Sequence, residues 1–203
     1  MPAPAPVIEA LDADTARREQ APLVALLQNV VDDGGSVGFL PPLAAAEADA
    51  YWRGVVAAVR EGSCLLLVAR DADGGADAPE GGADAPEGGA DAPEGGIVGT
   101  AQLLLATRPN ALHRAEVAKV IVHTKVRRRG IGHALMLAVE ERARRLGRTT
   151  LVLDTRQGDP SERLYTSVGY RLAGAIPAYA KSADGALDPS AFYYRLLTEG
   201  GPS

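Results

Sequence analysis

The stretch that most constrains this chain runs Val120-Ile121-Val122-His123-Thr124-Lys125-Val126-Arg127-Arg128-Arg129-Gly130-Ile131-Gly132-His133-Ala134-Leu135. An apolar strand leads into a basic turn carrying two glycines, and an amphipathic helix follows. Such an order makes an anion site. The first amides of a helix have no partner within the helix, the helix dipole places positive charge there, and arginines stand beside both. The chain must therefore put a strand end and a helix start against one negatively charged group, which reads as the phosphates of a cofactor.

Two better-known glycine patterns are excluded. No Gly-Lys-Ser/Thr follows, so this is not a P-loop. Position 135 is Leu, so the dinucleotide fingerprint fails as well, and no acidic residue caps a second strand at the usual distance.

The rest of the chain supplies the layers around this turn. Val7–Leu11 reads as a strand, with Asp12 or Asp14 capping the helix after it. Leu23, Leu26, Leu27, Val30 and Val31 recur at helical spacing within 22–31. A second helix over 44–61 turns Trp52, Val55, Val56 and Val59 inward. Strands are expected at 65–70, at 97–106 with a bend at Gly99, at 115–123, at 149–154, from 169 and at 191–197. Helices are expected over 130–146, stopped by Gly147, and over a short stretch capped by Ser161. Pro177–Pro189 reads as a long loop. Strand, helix and strand in close succession make the strands at 115–123 and 149–154 parallel. The whole is an α/β (α+β) arrangement, a mixed sheet with helices on both faces.

Between the strands at 65–70 and 97–106, Gly-Gly-Ala-Asp-Ala-Pro-Glu occurs three times, beginning at Gly74, Gly81 and Gly88. The period of seven is no coiled coil, because each copy lacks an apolar pair and carries a proline and two glycines. Residues 71–96 read as a flexible acidic insert at a hairpin tip, within a single domain over 1–203.

Composition narrows the setting. The net charge of -5 disfavours non-specific nucleic-acid binding. The single cysteine, Cys64, lies in an apolar run and reads as a small core residue. No apolar run is long enough to span a membrane, and no signal peptide is evident. A cytoplasmic protein is the expectation. No His, Cys or carboxylate spacing suggests a metal.

Arg127-x-x-Gly130-x-Gly132 followed by Ala134 resembles the pyrophosphate-binding signature of the GNAT N-acetyltransferases. The likeness extends to the strand before it, the helix after it, the strand ending at Asp154, and Leu164-Tyr165-Thr166-Ser167-Val168-Gly169-Tyr170. Within that family, Asn110–Val117 and Ala183–Pro189 resemble the subgroup of tabtoxin resistance proteins. The resemblance spans roughly 20–197, apart from the repeats. It implies the GNAT fold, a mostly antiparallel sheet that splays between two parallel strands, with acetyl-CoA in the gap. The backbone of Val120, Ile121 and Val122 would pair with the pantetheine arm. Amides from Arg128 through Gly130, Gly132, His133 and Ala134 would hold the pyrophosphate, with Arg127, Arg128 and Arg129 adding charge.

Acetyl transfer needs a neutral amine, a polarised thioester, a proton for the departing thiolate, and both reactants held together. Tyr165 matches the family's tyrosine and is expected to protonate the sulfur. Asp154 ends an apolar strand at its carboxyl edge, where ligands bind in open α/β sheets. Alternation places Glu116 on one face with Ala118, Val120 and Val122. Glu116 and Asp154 are thus expected to receive the amine. The competing reading for each is an ion pair with Arg114 or Lys119. His113 is a weaker base, and His123 and His133 read as contact residues.

The expected partner is a small-molecule amine, amino-acid-like or an antibiotic or toxin, acetylated for self-resistance or tailoring. A homodimer fits the resemblance. The alternatives are acetylation of a protein N-terminus or lysine, acyl transfer from a carrier protein, and a non-enzymatic CoA-binding regulatory module.

Overall fold

A computed structural model describes residues 6–70 and 96–197. The acidic repeats expected as a hairpin insert lie outside the described residues. Strand β1 (Val7–Leu11) leads to helices α1 (Ala13–Arg18), α2 (Gln20–Asp32) and α3 (Ala45–Arg60). Strands β2 (Cys64–Arg70), β3 (Ile97–Leu105) and β4 (Arg114–Val122) follow, then helix α4 (Ile131–Arg145). Strand β5 (Thr150–Arg156), helix α5 (Ser161–Ser167) and strands β6 (Arg171–Lys181) and β7 (Leu187–Leu196) complete the order. One seven-stranded sheet runs β1-β2-β3-β4-β5-β7-β6. Its pairs are antiparallel except β4 with β5.

The local chemistry explains the elements. Asp12 caps α1, its carboxylate accepting from the Thr15 amide at 2.7 Å. Ile131, Leu135, Met136, Val139 and Ala143 fall on one side of α4 and are buried against the sheet. Each of the large ones contributes about 1.5–3 kcal/mol by leaving water. Gly99 admits that helix. A Cβ there would lie 3.1 Å from both the Ile121 carbonyl oxygen and a Leu135 methyl. On the opposite face, α1–α3 pack Leu23, Leu27, Val31 and Trp52 over Leu66 and Val68. Helices thus cover both faces, as expected.

Two features differ from the expectation. Pro177–Pro189 is not a loop. It is the end of a long β6–β7 hairpin, turned at Ser182–Ala186 by Gly185 with φ 89°. The prolines are tolerated because the ladder is interrupted where they face each other, between Ile176 and Ala180. The edge-on contact of Tyr179 with Phe192 and the bond from Ser182 to Asp188 close the hairpin. Ser161 is not the cap of α5 either. Pro160 holds that place, and the Ser161 hydroxyl lies 2.8 Å from the Thr155 hydroxyl.

The junction of β4 and β5 matters most. Their register covers Arg114 with Thr150, Ala115 with Leu151, and Glu116 with Val152, and then ends. Beyond it the strands diverge. On the other side of β4, Thr100 faces Ile121 while Gln102 faces Ala118. Two steps along β3 thus oppose three along β4, which is a bulge. Lys119 stands in it with φ 50°. A left-handed backbone costs a non-glycine residue about 1–2 kcal/mol, so surrounding contacts must hold it. One is the Thr100 hydroxyl, which donates to the Lys119 carbonyl at 3.0 Å.

Candidate active site

The turn after β4 is built as an anion cradle. His123 is 4% exposed and its Nδ1 accepts from the Lys125 amide at 3.3 Å. Burial lowers its pKa, and Lys125 and Arg127 lower it further, so the ring is neutral near pH 7. Asn29 of α2 fastens the turn, donating to the Thr124 hydroxyl at 3.1 Å and accepting from the Thr124 amide at 3.0 Å. Arg128 (φ 64°) and Gly130 (φ 81°) both take left-handed backbone before α4 begins. The first helical bond is donated by Ala134 to the Gly130 carbonyl at 3.0 Å. The amides of Ile131, Gly132 and His133 precede it and face outward. Gly132 lets α4 pack close to α5: a Cβ there would come within 3.1 Å of a Leu164 methyl.

The three arginines are not equivalent. Arg127 pairs with Asp33 at the end of α2, and its Nε donates to the Val122 carbonyl at 3.3 Å. It braces the turn. Arg128 and Arg129 are exposed beside the helix start.

The divergence leaves the β5-facing edge of β4 unpaired beyond Glu116, along Val120, Ile121 and Val122. An extended chain could add there as a strand would.

The bulge overturns part of the expected alternation. Ala115 and Val117 pack in the α4-side core, so Glu116 and Ala118 turn to the α1–α3 face, where Ile121 is buried. Val120 and Val122 pack on the α4 face instead. The extra residue at Lys119 shifts the side-chain phase by one step. Asp154 lies on the same face as Glu116, since Leu151 and Leu153 point to the α4 core. Its Oδ2 is 2.8 Å from the Ser190 hydroxyl. Glu116 and Asp154 therefore flank the start of the gap on one face, as exposed residues.

Tyr165 comes from the other face. It belongs to the α4-side core, 6% exposed, with the Tyr170 and Tyr193 rings 6.2 and 6.1 Å away. Among the described residues its hydroxyl has no hydrogen-bond partner, yet it is not sealed in the core. Burial raises its pKa, and the negative charges of Asp154 and Asp159 raise it further. Asp154 thus acts on the Tyr165 phenol from the opposite face of the sheet, and Glu116 shares the Asp154 face. His113, just before β4, and His133, in the first turn of α4, are exposed.

Sequence reasoning treated Lys119 only as a possible ion-pair partner. Its ammonium stands 5.4 Å from the Tyr51 ring centroid, within the fields of Glu116 and Asp154. Burial lowers its pKa, and the two carboxylates partly oppose that. The one available signal was a lone cation within the apolar run Val117–Val122.

A cavity of about 360 Å³ opens on this face between the segment Gly34–Pro41, Arg156 of β5 and the hairpin tip Lys181–Asp184. Arg156 ties these walls together. It bonds to the Gly34 carbonyl at 3.2 Å and Asp159 at 3.1 Å, and lies 3.7 Å from Asp188.

The sequence profile of the acetyltransferase (GNAT) family matches residues 70–170, from the end of β2 through α5. The chain belongs to the GNAT family. Its members are N-acetyltransferases that draw on acetyl-CoA, and this chain is an enzyme of that class. Solved structures agree on the GNAT fold. A ribosomal-protein-alanine N-acetyltransferase from Brucella melitensis superposes with a TM-score of 0.69 at 19% identity, covering 94% of this chain and 99% of that one. A putative acetyltransferase from Salmonella typhimurium, solved with its cofactor acetyl-CoA, gives 0.69 at 16% identity, covering 98% of each. A GNAT phosphinothricin acetyltransferase from Sinorhizobium meliloti, in complex with acetyl-CoA, gives 0.68 at 20% identity, covering 96% of this chain and 90% of that one. Among the described residues, no group of three or more His, Cys, Asp or Glu could hold a metal, and no helix is long and apolar enough to cross a membrane.

Proposed function

We propose that this GNAT protein transfers the acetyl group of acetyl-CoA directly to the amine of a small molecule. The observation that supports the reading is the placement of Glu116 and Asp154 on one face of the sheet where the β4–β5 register ends, with Tyr165 on the other face within the field of Asp154. The residues fit the donor. The outward amides of Ile131, Gly132 and His133 suit a pyrophosphate, with Arg128, Arg129 and Ala134 around them. The unpaired edge of Val120, Ile121 and Val122 suits the pantetheine arm.

In this reading Asp154 or Glu116 takes the proton of the acceptor amine, directly or through water. The amine nitrogen then bonds to the thioester carbonyl carbon as the carbon–sulfur bond breaks. Tyr165 delivers its proton to the departing sulfur. The hydroxyl of Ser190 orients Asp154. Holding the reactants together supplies much of the rate, on the order of 7–11 kcal/mol in well-oriented cases. The cavity on the acceptor side suits a small molecule, and the β6–β7 hairpin that walls it disfavours a protein chain. A cytoplasmic enzyme for self-resistance or tailoring, acting as one domain over 1–203 or as a homodimer, is the setting we propose.

The test is thiol release from acetyl-CoA across a panel of small amines. Asp154→Asn and Glu116→Gln should each lower kcat/KM by about 10²-fold or more while acetyl-CoA affinity holds. Full turnover in both variants would remove these carboxylates from the mechanism.

A further inference from the structure

The bulge in β4 turns one side chain toward the acceptor face that a regular strand would not. That side chain is Lys119, held with φ 50°. Its ammonium is largely withdrawn from solvent, above the Tyr51 ring and under the loop after α2. An ideal Cβ on Gly38 would lie 3.6 Å from it. Glu116 and Asp154 are near enough to act on it electrostatically. Neither is within 4 Å, and among the described residues the ammonium makes no hydrogen bond and no ion pair. Asp154 is occupied with Ser190 instead. Three donors on a half-buried cation are thus left without protein acceptors, beside the carboxylates proposed to receive the acceptor amine.

The neighbouring cations are engaged otherwise. Arg156 is committed to Asp159, Asp188 and the Gly34 carbonyl. Lys181 stands on the exposed hairpin rim. The loop over Lys119 continues into Phe39, which lines the acceptor-side cavity and packs edge-on against Tyr51, 5.3 Å between centroids. The cation and the cavity therefore share a wall.

We propose that Lys119 anchors a carboxylate on the acyl acceptor, so that the enzyme acetylates amino-acid-type compounds in preference to simple amines. This rests on the acetyltransferase reading above. The acceptor's carboxylate satisfies the ammonium while its amine lies against Glu116 and Asp154. The pairing is charge-assisted and specific. It sets the orientation in which the amine lone pair faces the thioester. The aromatic ring of Tyr51 holds the cation from behind.

Matched acceptors decide the matter. The common L-amino acids and their carboxamides differ in the group that Lys119 would hold and in amine basicity, so their rates are compared per neutral amine. The wild-type enzyme should favour the free acids by about 10- to 100-fold in kcat/KM, mainly through KM. Lys119→Met should collapse that ratio, and Lys119→Arg should restore part of it. Equal use of acids and carboxamides by the wild type, or an unchanged ratio in Lys119→Met, would overturn the anchor and leave acetyl transfer standing. A second measurement needs no turnover. N-acetyl-L-amino acids and their carboxamides, titrated calorimetrically, report the anchor as product mimics. Tighter binding of the acids that is lost in Lys119→Met supports it even if every amine fails as substrate, in which case the transfer reading fails alone. Equal binding of acids and carboxamides, or no binding of either, overturns it.

Discussion

In the resting enzyme the Tyr165 phenol holds its proton at neutral pH. Burial disfavours the phenolate, and Asp154 and Asp159 add negative charge nearby. On the proposed reading such a group serves as a donor and not as a base. Tyr165→Phe should therefore lower kcat by about 10²-fold with little change in the acetyl-CoA Kd. Rate and binding measured on the same preparation separate these effects, and an unchanged kcat would exclude the proton-donor role. The residue was legible in sequence through its place in Leu164–Tyr170. Its surroundings were not. The ring lies in a cluster with Tyr170 and Tyr193, residues distant in the chain that only the β6–β7 hairpin brings home. Lys119 was legible only as a candidate ion-pair partner. Its meaning depends on a backbone angle, and no residue type announces a left-handed lysine.

Among the elements, α4 joins two demands that pull apart. Its first turn must stay open for an anion, while its flank packs against Leu164 of α5. An acidic residue in the first turn stabilises a helix by about 0.3–1 kcal/mol, yet competes with a bound phosphate for the same amides. Gly132→Asp should thus weaken acetyl-CoA binding by more than about 10²-fold, while the crowding of its Cβ against Leu164 offsets the gain at the helix start and lowers the thermal midpoint. A calorimetric titration showing wild-type affinity would place the phosphates elsewhere. Helix and strand periodicity made α2, α3, α4 and most strands readable, because each presents one regular face to a core. It failed at Pro177–Pro189, where two prolines and a glycine imitate a loop. Those prolines survive in strands only because the ladder skips between Ile176 and Ala180. It failed again for Glu116, whose face was right relative to Ala118 and wrong relative to Val120 and Val122. A bulge is set by pairing with a neighbour, which a single strand's pattern does not contain.

At the scale of the molecule, both cores carry groups that resist losing protons. Burial pushes the Cys64 thiol up to about 11, and burial with the Glu162 contact pushes the Tyr193 phenol up to about 12. Burial also raises Tyr51, Tyr165 and Tyr170. Below the ordinary thiol and phenol values, folded and unfolded chains are equally protonated and stability is complete. Above about pH 9–10 the unfolded chain releases these protons while the folded one holds them. Each such group then removes about 1.4 kcal/mol per pH unit until its folded value is reached. The urea midpoint should fall steeply above pH 10, together with the rise of tyrosinate absorbance. A flat midpoint through pH 11 would contradict the burial of these rings. The seam between β4 and β5 has another consequence. Among the described residues the β4–β5 register joins β1–β4 to β5–β7 through only three pairs, continued by the bonds of the Thr149 and Thr150 amides to the His113 carbonyl. On the proposed reading, an extended donor lying along β4 supplies the missing rungs and ties the two half-sheets together. Donor at a hundredfold over its Kd would add about 2.7 kcal/mol to the fold. The enzyme's rigidity then follows the cell's supply of activated acetate: firm when the supply is full, looser along one line when it runs low.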